Sequence, residues 1–397
     1  MLQQVFEWFI NVSLKVLKLK KRDSKIWIFG SWNGTRYADN SKYLFKYVQK
    51  HLPEIRAVWI TKSQQVKEEL CKEGKECYLY NEKKARKLRL KAGFLFFTNG
   101  AVDVGHYDLC QGAKKIALWH GMPLKRLCYA TNNLRKRKKN PVRFIQYCKL
   151  KIYSNPQRDF TIATSETSKQ FLQECFEGNP ETYYITGQPR NDGLFDEQIK
   201  DEVRKTVNHK KTEQFILYMP TWRESNKKGK PFLNEVIKAL FQEQEFLKEL
   251  EKRNTKLYIK PHPNVQVDYK TNGNIIILDH SLQLETQALM GAADVLITDY
   301  SSAFIDFALT EKPIHFFVPD LEEYAKNRLG LFLRFEDFAP YWHTTLEGLK
   351  KTILNEEESH KKGLLNTQKI NEIYDDPELI RGKYCEKVLA TLRQSYS

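Results

Sequence analysis

The sequence predicts an α/β protein built from two Rossmann-like domains that face one another across a central cleft, each with a doubly wound parallel sheet. Three observations predict this class. Short apolar runs alternate with helical patterns along most of the chain. The 397 residues are too many for one ordinary core, and the 41% that are hydrophobic suffice for two. Polar segments follow several apolar runs, at the strand ends where open α/β sheets bind ligands.

The first domain is predicted to span residues 23–195. Strands are expected where apolar residues run together, and helices where they recur at helical spacing. The predicted strands are Ile26–Phe29, Ala57–Ile60, Phe94–Phe97, Ile116–Trp119, Thr161–Ala163 and Tyr183–Ile185, and the helices are Ser41–Lys50, Ser63–Cys71 and Glu82–Lys91. The run TGQPRNDGLFDEQIKDE, rich in Gly, Pro and Asp, then indicates a domain boundary.

The second domain is predicted to span residues 196–375 and to repeat the same alternation. Its predicted strands are Phe215–Met219, Leu257–Ile259, Ile275–Leu278, Val295–Thr298 and Ile314–Phe317, and its helices are Leu233–Leu250, Ser281–Met290 and Ser302–Leu309. Residues 376–397 are expected to form a C-terminal helix. Two such domains would place a ligand cleft between their strand ends.

Residues 1–22 have the pattern of an amphipathic helix, with apolar residues on one face and polar residues on the other. The basic residues of this segment are Lys15, Lys18, Lys20, Lys21 and Arg22. Such a helix would not span a bilayer. Two interpretations are open: a helix lying in a membrane interface, or a helix packed on its own domain.

The charge balance predicts an anionic partner. Lys and Arg total 65 against 49 Asp and Glu, a formal net charge of +16. Residues 125–151 contain ten Lys or Arg and no acid, including the cluster Arg135, Lys136, Arg137, Lys138 and Lys139. Apolar residues interleave with these cations, which favours an anionic membrane surface. No DNA- or RNA-reading motif is present, so nucleic acid is not an expected partner.

The seven cysteines are scattered and contain no C-x-x-C pair. This usage is typical of reduced thiols in a cytosolic protein and predicts neither a zinc site nor a disulfide framework.

Five polar segments interrupt the apolar pattern just past predicted strands: LWHGMPLKR, GQPRND, MPTWRES, IKPHPN and TDYSS. Their residue types suit phosphoryl transfer. An imidazole, from His120 or His262, can serve as a base near neutral pH. Arg190, Lys260 and the amides of Ser301 and Ser302 could neutralise a diphosphate. No Walker sequence or metal-ligand pattern occurs, so protein groups, with no metal ion and no cofactor, are expected to hold the phosphates.

The turn Asp299-Tyr300-Ser301-Ser302 lies between an apolar strand and an apolar helix that is expected to start near Ser301 or Ser302. Free backbone N–H groups at a helix start attract anions, which would suit a phosphate. The commoner alternative is that Asp299 or Ser301 only caps the helix.

Taken together, the set W-H-G-x-P-L-K, G-x-P-R-N-D, P-T-W-R, K-x-H-P and T-D-Y-S-S-x-x-x-D resembles the CDP-glycerol glycerophosphotransferase family, which includes teichoic-acid primases and polymerases and capsule-building relatives. The resemblance implies a GT-B-like fold. It also implies transfer of a polyol phosphate from a CDP-polyol to a hydroxyl of a membrane-lipid-linked glycan or polyol-phosphate acceptor, with release of CMP. Such an enzyme is expected to be peripheral, at the cytoplasmic face of the bacterial membrane.

The resemblance also implies roles for particular residues. His120 corresponds to the family's candidate base, and His262 is the second expected catalytic residue. The expected donor-binding residues are Gly121, Met122, Pro123, Leu124, Arg190, Pro220, Thr221, Lys260, Pro261, Ser301, Ser302 and Asp306. Met122 departs from the family, whose members often carry Thr there. An alternative class is the CMP-sugar-dependent capsule glycosyltransferase, similar to sialyl- or Kdo-transferases, which also uses an H-P and a Ser-Ser element.

Overall fold

The structure, a computed structural model, describes residues 21–105, 112–124, 126–130, 158–176, 178–221, 232–262, 265, 267–278, 282, 284–322, 332–374 and 381–396. The described residues fall into two compact units. The N-terminal unit comprises those within 1–121, 127–192 and 383–397, and the C-terminal unit those within 122–126 and 193–382.

The N-terminal unit contains a seven-stranded parallel sheet of order β3-β2-β1-β4-β5-β6-β7. Its strands are β1 (Asp23–Phe29), β2 (Arg56–Thr61), β3 (Cys77–Leu79), β4 (Ala92–Phe97), β5 (Lys114–Ala117), β6 (Phe160–Ala163) and β7 (Tyr183–Ile185). Its first helices are α1 (Asp39–His51), α2 (Gln64–Lys72), α3 (Lys83–Lys91) and α4 (Glu166–Phe176).

Strand alternation divides the core of the N-terminal unit into two chemically different halves. Ile26 and Ile28 of β1 join an aliphatic cluster that includes Leu88 of α3. Phe29 points the other way, stacks on Phe96 with ring centroids 4.4 Å apart, and meets Phe45 of α1. Because successive side chains of a strand point to opposite faces, one short apolar run supplies both halves.

The C-terminal unit contains a five-stranded parallel sheet of order β10-β9-β8-β11-β12. Its strands are β8 (Gln214–Met219), β9 (Thr255–Ile259), β10 (Ile275–Ile277), β11 (Val295–Thr298) and β12 (Ile314–Phe316). Its helices are α5 (Glu197–Thr206), α6 (Phe232–Gln242), α7 (Gln244–Lys252), α8 (Thr286–Ala292), α9 (Ala303–Ala308), α10 (Leu346–Ile353), α11 (Glu356–Gly363) and α12 (Thr367–Ile373). The prediction of two parallel α/β sheets is therefore confirmed.

The last helix, α13 (Tyr384–Tyr396), belongs to the N-terminal unit. Asp192 accepts hydrogen bonds from the backbone N–H groups of Tyr384 (2.7 Å) and Cys385 (3.0 Å), which are at the start of this helix. At the other end, the hydroxyl of Tyr396 donates to the carbonyl of Asp159 at 3.2 Å. Residues almost two hundred positions apart in sequence thus complete one unit.

Several predicted elements differ in detail. The single helix predicted over 233–250 is two helices, because Glu243 leaves the helical conformation (φ −94°, ψ 89°) and its carboxylate pairs with the buried Lys350. Strand β3 was not predicted. The strand predicted to reach Trp119 ends at Ala117, because Trp119 adopts a left-handed φ of +49°.

Most of the expected membrane-facing residues lie outside the described residues: residues 1–20, Lys125 and 131–157, which hold Lys15, Lys18, Lys20 and the Arg135–Lys139 cluster. Lys21 is described and exposed. The guanidinium of Arg22 donates to the carbonyl of Arg89 at 2.6 Å, so this one residue packs on its own unit. Within the described ranges, no helix is both long and apolar enough to cross a membrane.

Candidate active site

The N-terminal unit carries two motif loops, which follow β5 and β7. His120 lies three residues after β5, and Arg190 lies five residues after β7. Parallel strands place both loops at the carboxyl edge of the sheet, the edge where α/β proteins bind ligands. The structure therefore brings these two predicted site residues together: Nη1 of Arg190 donates to the backbone carbonyl of His120 at 2.9 Å.

The imidazole of His120 is held by aromatic rings and an unusual backbone. Its ring centroid lies 4.0 Å from that of Trp119 and 5.3 Å from that of Trp32. On either side of His120 the backbone has positive φ, +49° at Trp119 and +128° at Gly121. Glycine accepts this conformation readily, whereas tryptophan does so at a cost that surrounding contacts must offset. This loop is thus built around one ring orientation.

Burial sets the protonation state of His120. Loss of water lowers the pKa of His120 to about 4, and the positive charges of Arg190 and Arg158 lower it too, against the opposing effect of Asp39. The imidazole is therefore neutral at pH 7. Its Nδ1 is buried, with no hydrogen-bond partner among the described residues. A neutral imidazole can accept a proton, as the predicted base must.

Arg190 was expected to bind the donor, and the structure assigns it to the N-terminal unit. Its Nη1 also donates to Oδ1 of Asp39 at 3.0 Å, in an ion pair whose side chains are only 10% and 7% exposed. Nη1 of the guanidinium therefore hydrogen-bonds to two groups of the protein itself. A direct contact of Arg190 with the donor stays a prediction.

Sequence reasoning missed the residues that hold these two loops. Asp39 and Asn40 contact Arg190, and Asn40 also contacts the carbonyls of Leu118 and Trp119. In sequence, an Asp-Asn pair before a helix is an ordinary start signal. The signal that could have revealed them is their position, because α1 follows β1 and therefore starts at the same sheet edge as the motif loops.

A second buried carboxylate fixes the neighbouring loops of the N-terminal unit. Asp103 is 1% exposed and accepts hydrogen bonds from the backbone N–H groups of Asn33 (2.6 Å), Thr98 (2.8 Å) and Asn99 (2.9 Å). Burial raises the pKa of Asp103, and these backbone hydrogen bonds oppose the rise. The loops after β1 and β4 are therefore tied to one side chain.

In the C-terminal unit, the sheet order gathers the other three motif segments. Strands β9, β8 and β11 are neighbours and run parallel, so the segments after them share one edge. Lys260-Pro261-His262 follows β9, Pro220-Thr221 follows β8, and the turn starting at Asp299 follows β11. The sequence-predicted residues Lys260, His262, Pro220, Thr221, Ser301 and Ser302 therefore lie along a common edge. Trp222 and Arg223 of the P-T-W-R motif lie outside the described residues.

The structure gives Asp299 a task that sequence reasoning did not assign. Its side chain is fully buried, and both carboxylate oxygens accept the backbone N–H of Thr221 at 3.0 Å. The capping role belongs to Ser301, whose Oγ accepts the N–H of Ala303 at 3.2 Å. Helix α9 has only six residues, so its dipole supplies little of the expected attraction for a phosphate. Asp299 instead ties two motif segments together.

Exposure differs among the remaining predicted residues of the C-terminal unit. The side chain of His262 is exposed and that of Lys260 is half-buried. Ser301 and Ser302 are half-buried, whereas Pro220 and Pro261 are buried. The backbone N–H of Lys260 donates to the carbonyl of Tyr218 at 2.9 Å, which continues the sheet pairing.

Asp306, another expected donor-binding residue, is 2% exposed. Its Oδ2 accepts from Nε2 of Gln287 at 3.2 Å, and its Oδ1 accepts from the hydroxyl of Tyr374 at 3.3 Å. Both oxygens therefore serve protein partners on α8 and just past α12. A donor contact stays a prediction, while these bonds indicate that Asp306 anchors α9.

The loop after His120 is buried. Gly121, Pro123, Met122 (4% exposed) and Leu124 (8% exposed) are all enclosed, and the carbonyl of Leu124 accepts the N–H of Phe332 at 2.8 Å. Met122 to Leu124 group with the C-terminal unit, whereas Gly121 groups with the N-terminal unit. Their expected donor contacts stay predictions. In the part of the chain that the structure describes, no group of three His, Cys, Asp or Glu residues could hold a metal ion.

Comparison with known proteins adds independent findings. Residues 12–377 match the sequence profile of the family described as CDP-Glycerol:Poly(glycerophosphate) glycerophosphotransferase. The chain is 26% identical over 390 residues to a teichoic acid poly(glycerol phosphate) polymerase of Bacillus spizizenii, covering 96% of this chain and 95% of that one. A polymerase of the same description from Staphylococcus epidermidis is 26% identical over 364 residues. That alignment covers 88% of this chain and 47% of the longer relative.

The fold also matches a solved structure. The wall teichoic acid polymerase TagF superposes with a TM-score of 0.75 at 22% identity, covering 99% of this chain and 98% of the TagF chain. A variant of TagF was also solved after a soak with CDPG. At this identity the likeness shows a shared fold, and the family profile carries the relationship in sequence.

Proposed function

This chain belongs to the CDP-glycerol:poly(glycerophosphate) glycerophosphotransferase family, and from that premise we propose that it transfers glycerol phosphate, or a related polyol phosphate, from a CDP-polyol to an acceptor hydroxyl. The family match confirms the resemblance noted in the sequence motifs. It also decides between the two predicted enzyme classes, in favour of a glycerophosphotransferase over a CMP-sugar-dependent glycosyltransferase. The acceptor in this proposal is a membrane-lipid-linked glycan or polyol phosphate of teichoic-acid or capsule synthesis.

The observation that supports this reaction is the state of His120. A neutral, half-buried imidazole that packs on two tryptophan rings at a sheet edge is suited to take the proton of the acceptor hydroxyl. The hydroxyl oxygen then attacks the phosphorus that carries the polyol. A new P–O bond forms to the acceptor, and the P–O bond to CMP breaks.

A low pKa makes a weak base, so the substrate must supply part of the basicity. A bound diphosphate places negative charge near the site, and nearby negative charge raises the pKa of an imidazole. The pKa of His120 would then move from about 4 toward neutrality when the donor binds. Proton acceptance would thereby be coupled to occupancy by the donor, which limits reaction in the empty enzyme.

The leaving group is assigned to the C-terminal unit. Lys260 and His262 follow β9 at the same edge as Thr221 and Ser301, where Lys260 offers a positive charge and both offer hydrogen-bond donors. In this proposal they stabilise the phosphate of departing CMP, and the amides and hydroxyls of Ser301 and Ser302 contact the donor diphosphate. The hypothesis requires that His120 and these residues act on the same donor molecule.

The membrane part of the proposal rests on charge. The formal net charge of +16 and the cation run over 125–151 suit an anionic bilayer surface, at the cytoplasmic face where a lipid-linked acceptor would be presented. Binding to anionic vesicles should weaken with salt, and removal of residues 1–20 should reduce it. Equal sedimentation of the full-length and shortened proteins would exclude a role for that segment in membrane binding.

The reaction itself is tested by product analysis. The protein is incubated with a defined lipid-linked acceptor and, in turn, with CDP-glycerol, CDP-ribitol and CMP-sialic acid. The proposal predicts CMP release and an acceptor mass that grows by one or more polyol-phosphate units with a CDP-polyol. Transfer from CMP-sialic acid alone would contradict it. The number of units added distinguishes a priming from a polymerising enzyme.

A further inference from the structure

The two motif loops of the N-terminal unit come from strands that are not neighbours. His120 follows β5 and Arg190 follows β7, and β6 lies between those strands. Sheet pairing alone therefore does not hold the loops together. Two residues at the start of α1, Asp39 and Asn40, contact both loops, and neither corresponds to any of the five sequence motifs.

Asn40 connects the loops through a single carboxamide. It is fully buried, and its Nδ2 donates to the carbonyls of Leu118 at 2.8 Å and Trp119 at 3.0 Å, just before His120. Its Oδ1 accepts the backbone N–H of Arg190 at 3.0 Å, and its Nδ2 also lies 3.3 Å from Oε1 of Gln188. Only a carboxamide offers donors and an acceptor at one end, so Asp or Leu could not replace it.

Asp39 connects groups on two sides of His120. Its Oδ1 accepts from Nη1 of Arg190 at 3.0 Å, the same nitrogen that holds the carbonyl of His120. Its Oδ2 accepts from the indole N–H of Trp32 at 3.2 Å, and the Trp32 ring lies against the imidazole. Asp39 also has a left-handed φ of +65°, an unfavourable conformation for a non-glycine residue that these contacts hold in place.

We propose that Asp39 and Asn40 are positioning residues that fix the imidazole of His120 for proton transfer without touching the substrate. The inference rests on the proposed function, in which His120 is the base. The charge of Asp39 has a second consequence, because it opposes the burial and the positive charges of Arg190 and Arg158 that lower the pKa of His120. Position and basicity of the base are thus set by the same side chain.

Isosteric variants test this proposal. Asn40→Asp removes the donors to the carbonyls of Leu118 and Trp119, and Asp39→Asn removes the charge that pairs with Arg190. We expect kcat to fall about 10- to 100-fold in each, because small misplacement of a catalytic group costs on this order, with donor KM changed less than about twofold. Ser63→Ala is the matched control, because Ser63 plays a similar part at the start of another helix of the same unit. Its Oγ accepts the backbone N–H of Val66 at 3.3 Å, at the start of α2. The Ser63→Ala variant should have a lower melting temperature than the wild type and an unchanged kcat.

A readout besides activity separates this inference from the proposed reaction. In protein labelled with 15N-histidine, the His120 signals are identified by their loss in His120→Asn, and their titration is followed by NMR. We expect the pKa of His120 to lie below 6.5 in the wild type and lower still in Asp39→Asn.

If Asp39→Asn does not fold, Trp32→Phe keeps an aromatic ring on the imidazole but removes the indole donor to Asp39, and a reduced kcat is expected. Unchanged kcat with an unchanged titration in the folded variants would overturn the positioning role. A wild type without transferase activity but with the expected titrations would overturn the reaction alone.

Discussion

The two units hold their motif residues in opposite ways. In the N-terminal unit, the ring of His120 packs on two tryptophan rings, and the residues before and after it have positive φ. Buried side chains hydrogen-bond to the backbone of this loop. In the C-terminal unit, buried Asp299 accepts the backbone N–H of Thr221, while the side chain of Lys260 is half-buried and that of His262 is exposed. Burial favours the neutral form of an imidazole, whereas access to water favours the charged form of a lysine. Under the proposed function, this difference suits proton transfer by the N-terminal unit and anion binding by the C-terminal unit.

The largest expected effect on kcat comes from substitution of His120. His120→Asn removes the proton acceptor while keeping a polar side chain of similar reach, and kcat should fall about 10²- to 10⁴-fold. His51→Asn is the control, because His51 is exposed in the same unit and stacks on Tyr47. Steady-state kinetics with CDP-glycerol measure both variants. Near-normal turnover by His120→Asn would remove the base from the mechanism.

A smaller effect, mainly on donor affinity, is expected from Lys260 and His262. Hydrogen bonds to charged groups contribute about 1.5–3 kcal/mol, so Lys260→Gln and His262→Asn should each raise donor KM about 10- to 100-fold. Lys256→Gln is the matched control, since Lys256 lies within β9, which Lys260 follows, and pairs with Glu213 at 2.9 Å. If the control raised donor KM as much as Lys260→Gln, the effect would reflect general charge rather than a site.

The dependence of kcat/KM on pH tests the dehydration of His120. The pKa of His120 in the free enzyme is about 4, so the neutral form persists as pH falls below the usual value of 6.5, and protonation becomes important only near pH 4. We therefore expect kcat/KM to change little through the ionisation of His120 between about pH 7.5 and 5.5. An ordinary histidine would give a decrease of about tenfold at pH 5.5. A tenfold decrease in kcat/KM at pH 5.5, in protein that is still folded at that pH, would show that His120 is solvated.

The smallest effect on activity is expected at Asp306. Asp306→Asn disturbs buried bonds to Gln287 and Tyr374, so the free energy of unfolding should fall by about 1–3 kcal/mol while donor KM changes less than about twofold. Thermal unfolding and donor kinetics measure the two quantities. A large rise in donor KM at unchanged stability would instead support the donor contact that the sequence motif predicts for Asp306.

The sequence predicted the parts of the molecule that local patterns specify. Parallel strands appear as apolar runs, so the motif segments after β5, β8, β9 and β11 were correctly placed at strand ends. Contacts between distant residues leave no such pattern. Glu243, where the helix breaks, pairs with Lys350, and Asp39 pairs with Arg190; both pairs join residues far apart in sequence. The helix-capping motif at Asp299 predicted a short-range role, whereas its actual partner is Thr221.

The division of labour between the units is tested most directly by measuring donor binding apart from turnover. Isothermal titration of CDP-glycerol into the wild type, His120→Asn and the Lys260→Gln/His262→Asn double variant gives the three affinities. The account predicts that His120→Asn binds the donor within about threefold of the wild type although it turns over poorly, and that the double variant binds at least about tenfold more weakly. Loss of donor binding in His120→Asn, with wild-type affinity in the double variant, would contradict it.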